Sequence, residues 1–139
     1  MISRRKFQIL LFAVSALPSL VFAASCEELA GIAMPDTTVT LAEAVAAGAF
    51  PSPSNGASYA DLPAFCRVKA TIAPTSDSAI KIEVWLPTTG WNGKFQGVGN
   101  GGWSGSISTS ALAEGLRRGY ATASTDTGHE GGSASFALG

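Results

Sequence analysis

Charge is scarce in this 139-residue chain, and histidine and cysteine are scarcer: charged side chains make up 14% of it, with one histidine and two cysteines. Three of the nine basic residues lie together at positions 4–6, so the rest of the chain carries six basic residues against ten acidic ones. This balance excludes a basic nucleic-acid interface and a polybasic membrane anchor. One histidine, two cysteines and dispersed acids do not make a metal site. The length predicts one domain rather than two.

No apolar run reaches the roughly 20 residues of a stable membrane anchor, and the longest one is broken by Pro18. A basic start with Arg4 and Arg5, an apolar stretch and a small-residue end predict a secretory signal peptide over residues 1–23, cleaved there or one residue later. The segment 3–7 also resembles the twin-arginine export motif, with an ordinary Sec signal as the alternative. We therefore expect an exported protein, either secreted or periplasmic.

The two cysteines, Cys26 and Cys66, both lie in the part predicted to be exported. They either form an intrachain disulfide or remain as two buried free thiols. An exported location favours the disulfide, because such compartments are oxidising. The bond would close a loop of about 40 residues and contribute roughly 3–4 kcal/mol on the chain-entropy estimate.

The pattern of apolar and polar residues in the exported part predicts two helices and about four strands. A capping box from Thr40 to Glu43, with Gly48 as the stop, predicts the first helix over residues 37–48. Alternating residues predict strands over 66–72 and 79–87, joined as a hairpin. The following segments predict a strand, a glycine-rich loop, a helix and another strand, over residues 94–98, 99–105, 108–118 and 120–124.

Strand, helix and strand in this order predict a βαβ crossover, which joins parallel strands. The predicted fold class is therefore α/β, with an antiparallel hairpin that leads into a parallel crossover. One crossover helix and about four strands cannot cover both faces of a parallel sheet, which is normally covered on both. We therefore expect an incomplete sheet, the front part of a larger protein.

The glycine-rich loop allows three interpretations. Gly97, Gly99 and Gly102 match the spacing of a dinucleotide-binding fingerprint, and Asp126 stands near the position of its ribose-binding acid. Export and the polar strand before the loop argue against this interpretation. In an α/β-hydrolase, a glycine-rich loop after an early strand instead presents backbone N–H groups to an oxyanion. The third interpretation is a loop whose glycines only allow a tight turn.

Four blocks of sequence stand in order at residues 65–68 (FCRV), 82–87 (IEVWLP), 91–102 (WNGKFQGVGNGG) and 120–129 (YATASTDTGH). Together they resemble the opening of the tannase and feruloyl esterase family. The resemblance implies a secreted α/β-hydrolase that cleaves small-molecule or plant-polymer esters of phenolic acids with a Ser-His-Asp triad. The fold would then be the N-terminal part of an α/β-hydrolase sheet, with residues 24–139 as the N-terminal portion of its catalytic domain.

The resemblance also implies roles for single residues. Cys26 and Cys66 match an N-terminal disulfide of the family. The loop over residues 99–102 matches its oxyanion region, so Gly101 and Gly102 are the candidate oxyanion-hole donors. No cofactor is expected within this segment, because the calcium that members of the family often hold belongs to a lid domain inserted later in the chain.

The catalytic triad itself is missing. No Gly-x-Ser-x-Gly motif occurs, and the sole histidine, His129, is followed by too little chain to complete the order Ser, acid, His. We therefore expect the triad beyond Gly139 and predict that this chain alone is inactive. His129 and Trp103 are candidates for the lining of the substrate site. The alternative function is a small secreted one-disulfide binding module without catalytic activity, whose aromatic side chains hold a carbohydrate or phenolic ligand.

Overall fold

The computed structural model describes residues 24–52, 56 and 58–138, so the predicted signal peptide lies outside the described residues. Its strands are β1 (Thr37–Val45), β2 (Phe65–Ile72), β3 (Ile80–Pro87), β4 (Phe95–Val98) and β5 (Ala121–Thr125), and its α-helix is α1 (Thr109–Arg117). Two short 3-10 helices cover Glu27–Gly31 and Ala134–Ala137. Within these residues, no helix has the length and apolar character needed to cross a membrane.

The five strands form one mixed sheet in the order β1-β2-β3-β5-β4. The neighbours β1/β2, β2/β3 and β3/β5 are antiparallel, whereas β4 and β5 are parallel, with α1 between them in the chain. The sheet and helix agree with the predicted α/β class. Because β4 and β5 run the same way, the loops that leave their C-terminal ends lie side by side, which is where α/β folds place functional groups.

The helix predicted over residues 37–48 is wrong, since β1 occupies this segment and the sheet has five strands rather than about four. Glu43 does not complete a capping box; its carboxylate accepts from Arg67 of β2 at 3.2 Å. The Thr40 hydroxyl donates to the Lys69 carbonyl at 3.3 Å, at a register shift between β1 and β2. This segment forms a strand despite its local helix signals, because pairing with a neighbouring strand outweighs a weak intrinsic helix propensity.

The core lies on the face of the sheet that α1 covers. Trp85 and Phe65 are fully buried and stack with their ring centroids 4.5 Å apart. Leu112 and Leu116 of α1 are also fully buried and belong to the same cluster. Phe50 packs edge-on against Trp85, at 4.7 Å between centroids. The alternation of the strand around Trp85 predicted this burial, and the structure confirms it.

The absence of a side chain at Gly115 allows α1 to lie close to β5. Gly115 is buried, and a Cβ added there would stand 2.3 Å from the Cγ2 atom of Thr122. Thr122 is fully buried, and its hydroxyl donates to the Leu112 carbonyl at 3.3 Å. Gly119 stops the helix just after its last residues, as predicted; its φ is +75°, and a Cβ there would approach the Gly90 carbonyl oxygen to 2.7 Å.

A disulfide joins Cys26 to Cys66 of β2, with their Cα atoms 5.5 Å apart, so the predicted bond is confirmed. It ties the N-terminal 3-10 helix to the sheet.

Beside it, a charge network crosses three strands. Arg67 donates to Glu83 at 2.7 Å, and the buried Glu83 also accepts from the Trp85 indole at 2.8 Å. Burial works against the charge of Arg67, but the bonds to Glu83 and Glu43 keep its pKa above the ordinary value.

Candidate active site

The glycine loop, defined here as residues 99–105, leaves the C-terminal end of β4 with its backbone open to solvent. A Cβ added at Gly99, Gly101 or Gly102 would meet no atom within 4 Å. At Gly102 φ is +57°, a left-handed conformation that L side chains rarely adopt. Among the described residues, no acceptor takes a hydrogen bond from the backbone N–H of Gly101 or of Gly102. Two adjacent backbone N–H groups of the loop are thus without a protein acceptor in the described part of the chain.

The loop is nevertheless fixed in place by hydrogen bonds. Inside it, the Ser104 N–H donates to the Gly101 carbonyl at 3.1 Å and closes a tight turn. At its start, the Asn100 side-chain amide donates to the Thr125 carbonyl at the end of β5, at 2.7 Å. At its end, Gly105 exchanges two backbone bonds with Gly131, of 2.7 and 3.1 Å. Rigid donors of this kind need little reorganisation when charge develops in front of them.

The two residues predicted to line a substrate site lie together: Trp103 belongs to the glycine loop, and His129 contacts it from the turn after β5. The His129 Nε2 atom is 3.0 Å from the Trp103 carbonyl oxygen. The His129 ring stacks on the Phe136 ring, with 3.8 Å between centroids. Trp103 packs edge-on against the Phe136 ring, with 6.3 Å between centroids. Trp103 is 59% exposed and Phe136 is 51% exposed, so this aromatic group forms part of the surface.

Asp126 serves as a turn former rather than a free acid. It is 4% exposed, and its Oδ1 atom accepts from the Lys81 N–H at 2.8 Å and from the Gly128 N–H at 2.9 Å. This carboxylate shapes the turn after β5, in which Thr127 takes a φ of +59°. A ribose-binding acid needs an accessible carboxylate, so the buried position of Asp126 argues against the dinucleotide interpretation.

The charges nearest the site neutralise one another. Glu130, next to His129, pairs with Lys81, and the hydrogen bond between them raises the pKa of Lys81 and lowers the pKa of Glu130. Both side chains are exposed, so the pair is screened by water and contributes little to stability. In the part of the chain that the structure describes, no three histidine, cysteine, aspartate or glutamate side chains cluster as a metal site would require.

Sequence analysis missed the residues that fix the loop: Asn100, Gly105, Gly131 and Phe136. Gly105 is required by close approach, because a Cβ there would lie 2.2 Å from the His129 carbonyl oxygen. The sequence did offer one signal for Gly105: no predicted turn or helix end explains a glycine at this position. No local pattern reveals that Asn100 binds Thr125, which lies 25 residues away. None reveals that Phe136 stacks on the ring of His129.

The sequence of this chain is similar to those of known esterases. The family model described as "Tannase and feruloyl esterase" matches residues 66–139. An "uncharacterized esterase" of Xanthomonas campestris is 44% identical over 138 residues, which are 95% of this chain and 24% of that protein. Feruloyl esterase C of Talaromyces stipitatus is 36% identical over 120 residues, which are 79% of this chain and 22% of that protein.

Among solved structures, the feruloyl esterase B of Aspergillus oryzae aligns with a TM-score of 0.66 and 32% identity over 77% of this chain and 22% of that one. The crystal structure of an esterase from Aspergillus oryzae gives a TM-score of 0.66 and 33% identity, covering 78% and 23% of the two chains. The chain thus spans about a quarter of the length of its relatives. Because the family model covers more than half of its residues, this chain belongs to the tannase and feruloyl esterase family.

Proposed function

We propose that this chain opens the catalytic domain of an exported carboxylic ester hydrolase that acts on esters of phenolic acids. Its sheet is the first part of an α/β-hydrolase sheet, in which the antiparallel pair β2/β3 leads into the parallel crossover β4-α1-β5. Family membership and the names of its relatives, several of them feruloyl esterases, support the reaction class. The basic, apolar and small-residue order of residues 1–23 supports export.

One observation carries the proposed chemistry: the N–H groups of Gly101 and Gly102 are unpaired within the described residues and stand at the C-terminal end of β4. In ester hydrolysis, a nucleophile attacks the carbonyl carbon and its oxygen becomes negatively charged. Backbone donors placed before the reaction stabilise that charge, and each is worth about 3–4 kcal/mol of transition-state energy. Gly101 and Gly102 are the oxyanion-hole donors in this proposal.

The remaining machinery belongs, in this proposal, to chain beyond Gly139. A serine nucleophile, an acid and a histidine follow in that order in α/β-hydrolases. Coverage of about a quarter of the relatives' length leaves room for all three. The 139-residue chain alone is then inactive. Trp103, exposed next to the donors, contacts the aromatic part of the substrate.

The test compares two glycines that share a left-handed backbone and open surroundings. Gly102→Ala and Gly93→Ala both place a side chain where nothing lies within 4 Å, at φ of +57° and +78°. Each substitution costs about 1–2 kcal/mol of backbone strain, and only the first disturbs a proposed donor. Alanine keeps the N–H but sets a methyl group beside it, where the substrate carbonyl would approach. In the full-length gene product, with methyl ferulate as substrate, we expect Gly102→Ala to lower kcat/KM by about 10-fold or more, short of the 10²- to 10³-fold that loss of a whole donor costs.

The control variant, Gly93→Ala, should lose stability by a similar amount while its kcat/KM stays within about threefold of the unmodified enzyme's. Equal losses of activity in the two variants would mean that the glycine loop supplies no donor. If the full-length protein hydrolyses no ester and instead binds a phenolic acid or a carbohydrate without turnover, the proposal is wrong and the binding-module function replaces it.

A further inference from the structure

His129 holds a backbone carbonyl of the glycine loop in a fixed direction. A carbonyl oxygen only accepts, so the contact of 3.0 Å to Trp103 requires a proton on Nε2 of His129. The other ring nitrogen, Nδ1, lies 3.3 Å from the Thr127 hydroxyl. The ring face is covered by Phe136, stacked at 3.8 Å and 19°. The Thr127 hydroxyl donates its proton to the Asp126 carbonyl at 2.6 Å, so the groups of His129 engaged within the protein are Nε2 and one face of the ring.

The carbonyl that His129 holds is part of a chain of two planar peptide groups. The first peptide group joins Trp103 to Ser104, so a donor on the Trp103 carbonyl also sets the direction of the Ser104 N–H. That N–H donates to the Gly101 carbonyl at 3.1 Å. The Gly101 carbonyl belongs to the second peptide group, whose opposite side is the Gly102 N–H. In a planar trans peptide the C=O and N–H bonds point in opposite directions.

These two hydrogen bonds therefore transmit the position of the His129 ring to the direction of the Gly102 N–H. Left-handed Gly102 has wide conformational freedom, which these bonds restrict. The close contact of His129 with Gly105 adds to this restraint, because the His129 backbone leaves no space for a side chain at Gly105.

We propose that His129 is a positioning residue for the oxyanion hole: its Nε2–H, through the Trp103 and Gly101 carbonyls, orients the Gly102 N–H. The proposal rests on the proposed function and adds to it a positioning role for His129, in which Nε2 holds its proton against the Trp103 carbonyl.

Two substitutions separate the hydrogen bond from the ring. His129→Phe keeps a ring that stacks on Phe136 and removes the donor. His129→Gln removes the ring and restores an N–H donor at a similar reach from the backbone. In the full-length gene product we expect His129→Phe to lower kcat by about 10-fold or more with KM nearly unchanged. His129→Gln should recover most of kcat and keep the same pH profile as the unmodified enzyme.

A second readout does not depend on activity. The Ser104 amide is protected by its bond to the Gly101 carbonyl, and its hydrogen exchange is measurable by NMR. We expect His129→Phe to accelerate this exchange by about fivefold to tenfold, the equivalent of about one lost hydrogen bond. His129→Gln should slow it again, and the Val84 amide in β3 should exchange at the same rate in all three proteins.

Three results would overturn the inference. Unchanged Ser104 exchange in His129→Phe would mean that the histidine does not hold the loop. An unchanged kcat in that variant would mean that holding the loop does not matter for catalysis. Loss of one limb of the pH profile in His129→Gln would assign His129 a proton-transfer role. If Ser104 exchange responds as expected but the unmodified protein hydrolyses no ester, the proposed function fails, while the hydrogen bond from His129 to the Trp103 carbonyl is confirmed as a restraint on the loop.

Discussion

Replacing Gly115 of α1 by alanine tests how closely this helix packs on the sheet. In an open helix the change is stabilising by about 1 kcal/mol, because alanine has the higher helix propensity. Here the new Cβ would stand 2.3 Å from Thr122 Cγ2 and 3.2 Å from Gln96 Oε1. Overpacking of this kind costs about 1–3 kcal/mol, and Thr122 is fully buried with no space to yield. Because a 2.3 Å approach is a severe overlap, the overpacking cost should lie in the upper part of this range. After the propensity gain is subtracted, we expect Gly115→Ala to lower the free energy of unfolding by about 1–2 kcal/mol.

The compensating variant is Thr122→Ser, which deletes the clashing methyl and keeps the hydroxyl that donates to the Leu112 carbonyl. Alone it should cost about 1 kcal/mol, the value of one buried methyl group. Combined with Gly115→Ala it should be nearly neutral, so the double-mutant cycle should give a favourable coupling of about 2–3 kcal/mol. Ser110→Ala, at an exposed position of the same helix, is the control and should be stabilising by a few tenths of a kcal/mol.

Urea denaturation followed by tryptophan fluorescence measures these differences, since Trp85 is fully buried whereas Trp91 and Trp103 are mostly exposed. The midpoint should shift with an unchanged slope if only stability has changed. A Gly115→Ala protein as stable as the unmodified one would show that α1 does not approach β5 as closely as described. Additive effects of the two substitutions would show that the Cβ and the methyl do not meet.

The disulfide and one surface ion pair give two more predictions. Replacing Cys26 and Cys66 by serine should lower the free energy of unfolding by about 3–4 kcal/mol, and the native protein should show no reactive thiol without reductant; a free thiol would refute the bond. The hydrogen bond from Arg117 lowers the pKa of Asp61 from its ordinary 3.8, so its contribution is present above that pH and is lost as the pH falls through the lowered value. Arg117→Gln should therefore flatten the fall in stability below about pH 4, whereas Arg118→Gln, whose guanidinium lies over the Tyr120 ring, should leave it unchanged.

Local sequence patterns predicted most of the elements after residue 65. The alternating segments became β2 and β3, the helix ended at Gly119, and Trp85 became the centre of the core. These predictions succeeded because each depended on a period or a turn residue that acts within its own segment. The prediction of a helix over residues 37–48 failed because this segment pairs with β2, whose residues lie 20 to 35 positions further along the chain, and no local signal reports that pairing.

The candidate site also combines features that the sequence predicted with features that only the structure shows. The sequence pointed to Gly101, Gly102, Trp103 and His129 as residues of one region, through glycine spacing and a family resemblance. It could not show that the loop is held by Asn100 and His129, because each of these bonds joins residues about two dozen positions apart. Nor could it show that the Asp126 carboxylate is buried and occupied by backbone N–H groups.

The sequence by itself determined where most of the strands and the helix form after residue 65, which two cysteines are available to pair, and where the glycine-rich loop lies. Only the tertiary structure decided the strand order β1-β2-β3-β5-β4, the strand state of residues 37–45 and the hydrogen bonds that hold the glycine loop. The physical reason is range: propensities and turns act over a few residues. Strand pairing, the close packing of Gly115 on Thr122 and the bond from His129 to Trp103 depend on parts of the chain that meet only when it folds.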